Sequence, residues 1–457
     1  MSREEYIRFQ FSKELLEEVI NLIESGDDAA LHVYFNEIHH ADIAEVLGEL
    51  SLDQATYIIK LLDSDTTAEV LMELDDDDRE KILENFSAQE IAEEIAELDT
   101  DDAADIIAEL SLERQRNVIS KIEDPEHKAD IQELLNYDED SAGSLMAKEL
   151  VKVNENWTVT RCVKEMRSQA EFVTRVHSIY VVDDAEKLIG RLSLKDLLVA
   201  KAKDEIKSIF IPKVDFVEVS DSIEEVSRLM QKYDLEAIPV VDNEKRLLGR
   251  ITIDDIVDVI KEEAEKDYQL AAGITQEVEA DDSILELVKA RLPWLILGLF
   301  GGLASVIILQ DFEEVMLLPN IKSLFFFTPL VAAMAGNVGV QSSAIIVQGL
   351  ANDVVKGSLV NRLLKEVGLS LINGFALGTL VIIFGAILDF EFLFSLTVAV
   401  SMVCVIIVAA LIGTFVPILL HRRGIDPAIA TGPFITTSND IFGIFLFFMI
   451  AKLILNF

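Results

Sequence analysis

Along residues 39–123 the apolar positions return every twelve residues. Leu50, Leu62, Leu74, Phe86, Leu98, Leu110 and Ile122 are each followed by Ser, Asp or Glu, and the octads AEVLGELS, AEVLMELD, AEEIAELD and ADIIAELS repeat one phrase. Each unit predicts a short amphipathic helix, with the Ser or Asp capping the next one. Short helices of this kind stack into a small superhelix. The pattern then changes. Residues 141–262 hold two similar halves: HSIYVVD from His177 with GRLSLKD ending at Asp196, and EAIPVVD from Glu236 with GRITIDD ending at Asp255. Each half predicts strand, turn, strand, helix. After Arg291 come five apolar runs, about Leu292–Leu309, Leu324–Leu350, Leu363–Leu388, Leu393–Leu420 and Ile429–Leu455. Each is long enough for the roughly 20 residues that a membrane helix needs.

Loop charges orient the spans. Lys289 and Arg291 precede the first, Lys356, Arg362 and Lys365 separate the second from the third, and Arg422 and Arg423 separate the fourth from the fifth. The other two loops are acidic, with Asp311, Glu313 and Glu314 in one and Asp389 and Glu391 in the other, Lys322 being the exception. The positive-inside rule then places the N-terminus in the cytoplasm and the C-terminus outside.

Two spans carry polar interruptions. The second contains TPLVAAMAGNVGVQ from Thr328 to Gln341, and the fifth contains TGPFITTSND from Thr431 to Asp440. Small residues in a span allow close helix packing. They also permit a broken or thinned helix whose backbone carbonyls face a water-filled path. Two such stretches in separate spans favour the second reading for both.

Composition sharpens the division. The chain of 457 residues is 51% hydrophobic yet carries a formal charge of −42. Residues 1–140 hold 41 acidic and 10 basic side chains, so most of the excess lies there. Nucleic-acid binding needs a basic face and is excluded; a surface that attracts metal ions fits better. Cys162 and Cys404 lie in different regions and define neither a disulfide framework nor a metal site. The opening MSREEYIRFQ has no apolar core of signal-peptide type.

Asp440 stands near the middle of the last apolar run, while the basic residues after Arg291 fall near the ends of the runs. A carboxylate at mid-membrane costs roughly 2.5–3.5 kcal/mol on insertion scales and marks an ion or proton path. A mobile cation is the simplest missing partner. Asp426, Gly336, Asn337, Gly432, Pro433 and Thr436 join Asp440 as candidates for the ion path.

Cytoplasmic acids supply candidate metal ligands. Asp76 and Asp78 belong to the run Asp75–Asp78, which also suits a solvated helix start. Asp255 and Asp258 lie three apart, and Glu263 and Asp267 four apart, on a predicted helix, so each pair shares a face. Glu224 and Asp234, in the second of the paired halves, complete the set. A helix this acidic between the paired module and the spans is a candidate gate.

The paired halves resemble a tandem pair of CBS domains, both matching the pattern G-x-[ILV]-[ST]-x-x-D. That resemblance implies an adenine nucleotide, such as ATP, held by Ser193 with Asp196 and by Thr252 with Asp255. The whole order resembles the MgtE family of magnesium channels. The resemblance implies an all-α acidic superhelical domain at 1–138, an α/β tandem CBS pair at 139–262, an acidic connecting plug helix at 263–290 and an all-α five-span membrane domain at 291–457. It implies a homodimer in the cell membrane, Mg2+ as the ion, Asp440 as the pore carboxylate, and Asp255, Asp258, Glu263 and Asp267 on the gating helix. Two positions depart from the family pattern: Val340 replaces the second Asn of G-N-x-G-N-Q, and Gly432 stands where some members carry Asn. The expected function is magnesium import without enzymatic chemistry, closed by internal Mg2+ bridging the acidic domains. A membrane-anchored CBS regulator and a proton-coupled exporter are the alternatives.

Overall fold

The computed structural model describes residues 12–36, 38–170, 173, 175–276, 278–280, 282–313, 315, 318, 322–352, 354–355 and 357–456. The opening decapeptide, Glu314 and Lys356 lie outside them. The chain divides into two compact units, Met1–Ile260 and Lys261–Phe457.

The first unit opens with ten short helices: α1 Lys13–Ser25, α2 Asp28–Phe35, α3 His40–Gly48, α4 Leu52–Ile59, α5 Ser64–Glu73, α6 Asp76–Leu83, α7 Ala88–Glu94, α8 Thr100–Glu109, α9 Leu112–Lys121 and α10 Pro125–Leu134. From α3 to α9 the starts fall at 40, 52, 64, 76, 88, 100 and 112, the period read in the sequence. The cap chemistry explains the phase. The Asp63 carboxylate accepts from the Thr66 N–H at 3.1 Å, and Ser87 and Glu90 form a reciprocal capping box. The apolar residue before each cap faces inward, Leu74, Phe86, Leu110 and Ile122 being buried. Arg79 ties adjacent turns together: its Nε donates to Glu109 at 3.0 Å and its Nη1 to the carbonyls of Leu71 and Leu74 at 3.3 Å.

The paired module follows in the same unit. Strand β1 (Val151–Asn154), helix α11 (Val159–Gln169), strands β2 (Ile179–Val182) and β3 (Leu188–Leu192) and helix α12 (Leu194–Val199) form the first half. Strand β4 (Val217–Glu218), helix α13 (Ile223–Tyr233), strands β5 (Ala237–Val241) and β6 (Leu247–Thr252) and the start of α14 (Ile253–Ala272) form the second. Each sheet has three strands, with β1 parallel and β3 antiparallel to β2, and β4 parallel and β6 antiparallel to β5.

The second unit contains the end of α14 and five long helices: α15 Ile284–Asp311, α16 Thr328–Ala351, α17 Leu359–Ile387, α18 Phe392–His421 and α19 Gly432–Leu455. With short flanking turns, five helical segments are long and apolar enough to cross a membrane. Ser283 and Glu286 cap α15, which runs from the connecting segment into the first apolar run without a break.

One expectation is corrected here. The second span is not broken: α16 is helical throughout from Thr328 to Ala351, so Gly336 to Gln341 keep their carbonyls within the helix. The small residues serve approach instead. A methyl on Gly413 would strike the Gly339 carbonyl oxygen, so α18 and α16 touch backbone to backbone. The fifth span does have an irregular entry, a single turn over Pro427–Ala430 before α19 begins at Gly432.

Candidate functional sites in the membrane and cytoplasmic units

In the second unit, the polar stretch of α19 meets glycines of its neighbours. A methyl on Gly336 would lie 3.2 Å from Thr436 Cγ2 and 3.8 Å from Asp440 Oδ1. One on Gly301 would strike Thr437, and one on Gly339 would strike Asn439 Nδ2. Glycine thus lets α15 and α16 close on the polar face of α19. The Asp440 carboxylate is half-buried and, among the described residues, has neither an ion-pair partner nor a hydrogen-bond donor. Thr436, one turn earlier, spends its hydroxyl on the Gly432 carbonyl at 2.9 Å. Gly336 is buried at this contact, while Asn337 is exposed on another face of α16. Glu366 of α17 differs from Asp440 in having a donor, the Ser342 hydroxyl at 2.5 Å.

The start of α19 meets the end of α14. Gly432 has φ +42, and a side chain there would strike the Ala271 carbonyl oxygen. Pro433 packs on Gly273, itself at φ +82. Only glycine meets both demands at 432, a left-handed backbone and no Cβ. Asp267 lies near Asp426, and burial together with that carboxylate raises its pKa. Asp426 caps the entry turn by accepting from the Ala428 N–H at 2.7 Å. Two sequence candidates are therefore brought together here.

The remaining acids of α14 are not gathered at one place. Asp255 stands in the first turn of α14, in the first unit, and Asp267 near its end, in the second. Asp255 accepts from the Thr252 N–H at 3.0 Å and from its hydroxyl at 2.6 Å. Asp258 is exposed, and Glu263 has interactions of its own. Glu224 and Asp234 sit at opposite ends of α13, Glu224 in its first turn and Asp234 just past its end at φ +51. Asp76 pairs with Arg79 at 2.6 Å and Asp78 with Lys81 at 3.3 Å, the arrangement of an ordinary acidic helix start. In the first half of the module, Ser193 caps α12 by accepting from the Lys195 N–H at 3.2 Å. The two expected nucleotide-contacting pairs are thus unequal, since Thr252 and Asp255 bond each other.

The first unit holds a carboxylate group that the sequence reading did not single out. One oxygen each from Asp99, Asp101 and Glu149 lie within 4.8 Å of one another. By the twelve-residue period Asp99 should cap α8, but it makes no side-chain cap and instead accepts from Arg250 Nη2 at 3.1 Å. Glu149 accepts from the Thr100 N–H and hydroxyl at 3.1 and 2.8 Å. Asp101 is buried, with Oδ1 lacking any partner among the described residues. Burial and Glu149 raise the Asp99 pKa to about 6, against the pull of Arg250. Burial and neighbouring acids, Asp255 among them, raise Asp102 and Asp105 to about 7, and push Asp101 upward as well. The available signal was the absence of Lys and Arg between Lys81 and Arg114, the longest stretch of the repeat without a basic side chain of either kind. Hard carboxylate oxygens with an orphaned buried member suit a hard divalent cation.

An acidic helical repeat, a paired βαβ module and five spans with an unpaired carboxylate define a multi-pass cation transport protein with a large cytosolic part. Known families agree. A model described as "Divalent cation transporter" (MgtE) matches residues 328–450, the MgtE intracellular N domain matches 38–140, and the CBS domain matches 142–203 and 206–262. The chain is 36% identical over 334 residues to the magnesium transporter MgtE of Bacillus subtilis (strain 168), covering 73% of each. It is 36% identical over 337 residues to that of Thermus thermophilus, covering 73% of this chain and 74% of the other. The crystal structure of the cytosolic domain of the Mg2+ channel MgtE in complex with ATP superposes with TM-score 0.50 at 35% identity, over 53% of this chain and 99% of that one. The soluble part of a magnesium transporter gives TM-score 0.50 at 28% identity, over 55% and 99%. The chain belongs to the MgtE family of magnesium transporters.

Proposed function

We propose that this chain forms a homodimeric channel that admits Mg2+ to the cytoplasm down its electrochemical gradient, with Asp440 as the pore carboxylate. The observation that carries this is the Asp440 side chain, held against Gly336 between spans with no basic partner among the described residues. Magnesium sheds water reluctantly and prefers octahedral oxygen. A single carboxylate per subunit suits a hydrated ion held through its water shell. An inside-negative potential supplies roughly 2.3 kcal/mol per charge per 100 mV, about twice that for a divalent ion. No other energy source is required. The orientation is cytoplasmic for the first unit and external for the C-terminus.

Internal Mg2+ closes the channel. Asp99, Asp101 and Glu149 would hold a cation between the helical repeat and the paired module, supplying charge that Arg250 alone does not. Without it, crowded carboxylates favour separation. At the membrane, the end of α14 seated on Gly432 and Pro433 is the plug, and Asp267 with Asp426 is where a second cation would fasten it. The relative solved with ATP supports a nucleotide in the paired module, where Ser193 and Asp196 are better placed to receive it than the mutually bonded Thr252 and Asp255. Proteoliposomes under an inward Mg2+ gradient and a negative internal potential, without ATP, should take up Mg2+. Uptake that requires ATP or an opposing proton gradient would overturn the channel reading. Deleting residues 1–140 should leave flux intact but poorly shut off by internal Mg2+.

A further inference from the structure

A cavity of about 220 Å³ lies where the end of α16, the start of α17 and the end of α18 meet. Its polar lining is basic: Arg362, His421 and Arg422, with Ser358 beside them. Among the described residues none of the three basic side chains has a carboxylate partner. Ser358 is the N-cap residue of the 29-residue α17 but makes no side-chain capping bond, so its hydroxyl and the first N–H groups of the helix remain available. Gly357, at φ +102, leaves open space in front of them. Two guanidiniums, a hydroxyl and a free helix N-terminus converging on one cavity are the donor set for a phosphate group. The rest of the lining is apolar: Leu350, Val355, Leu359 and Ile418 flank the basic side chains. A soluble phosphate has no use for that apolar lining, whereas acyl chains do.

We propose that this cavity binds the phosphate of an anionic phospholipid in the cytoplasmic leaflet. The head group would bridge α17 to the end of α18 while its chains leave over Leu350, Val355, Leu359 and Ile418. The leaflet assignment rests on the orientation proposed above; the phosphate chemistry does not. Basic pockets between spans on the cytoplasmic side are a known physical route to head-group recognition.

The test is native mass spectrometry of the full-length protein from mixed micelles of phosphatidylglycerol and phosphatidylcholine. The unmodified chain should retain phosphatidylglycerol in preference to phosphatidylcholine. The pair of changes Arg362→Gln and Arg422→Gln should reduce that retention about tenfold or more, as two contacts to an anionic surface imply, while Arg291→Gln leaves it unchanged. If the double variant does not yield monodisperse protein, the exposed Arg422→Gln alone should give a reduction of about fivefold. Equal retention of both lipids by the unmodified chain would overturn the proposal, as would undiminished phosphatidylglycerol on the variants. Displacement of the lipid by millimolar inorganic phosphate would overturn the lipid assignment in favour of a soluble phosphate. Binding is read without flux, so failure here leaves the channel reading untouched.

Discussion

Arg250 on β6 donates to Asp99 at the start of α8 across 3.1 Å, although the two are 151 residues apart. Arg250 is buried and also donates through Nε to the Glu149 carbonyl at 2.5 Å. One cation therefore holds the helical repeat against the paired module amid several carboxylates. Arg250→Gln strands those acids, and breaking a buried pair costs about 3 kcal/mol. The first calorimetric transition of the intact protein should fall in EDTA and recover in part with millimolar Mg2+. An unchanged transition in EDTA would mean that the acids need no counter-charge.

Asp101→Asn should act in two opposite directions. The amide keeps the shape of the buried side chain and removes a charge that the unpartnered Oδ1 cannot stabilise. Stability without metal should rise, by about 1 kcal/mol. The Mg2+ concentration needed to protect the repeat from protease should also rise, by roughly fivefold or more, because a hard cation loses a carboxylate ligand. Stabilisation with an unaltered Mg2+ midpoint would remove Asp101 from the ligand set.

Gly432→Asn tests the seat of the plug. Asparagine tolerates the left-handed backbone better than most residues. Its Cβ nevertheless meets the Ala271 carbonyl oxygen, so the end of α14 must move. Displacing packed backbone costs roughly 1–3 kcal/mol, so closure should demand about tenfold more internal Mg2+ by the usual conversion of free energy to concentration. Patch recordings that give the same closing concentration for both proteins would contradict the contact as a plug.

The legible and illegible parts of this chain differ in range. Helix starts every twelve residues could be read because a cap and its apolar neighbour act within four residues, as Asp63 with Thr66 and Ser87 with Glu90 show. The five spans could be read because their length and hydropathy are local too. The stretch Gly336–Gln341 misled, since small residues serve a broken helix and a tightly packed one equally well. What decided between them was Gly413 on another span, which the sequence does not place next to Gly339. The carboxylate group was missed for the same reason: Glu149 reaches Thr100 and Asp101 across nearly fifty residues. Asp76 and Asp78 drew notice as a run, yet Arg79 and Lys81 within the same helix already answer them. Gly432 could be noted as unusual, but its need for glycine depends on Ala271 and on φ +42.

The central claim is that the Asp440 carboxylate supplies the fixed charge for Mg2+ in the pore, and Mg2+ uptake by proteoliposomes holding Asp440→Ala beside the unmodified chain tests it most directly. Both proteins should elute at the same volume, because Asp440 makes no ion pair or side-chain hydrogen bond that folding would lose among the described residues. The account predicts that selective Mg2+ uptake disappears in the variant. Full uptake at unaltered selectivity by Asp440→Ala would contradict it.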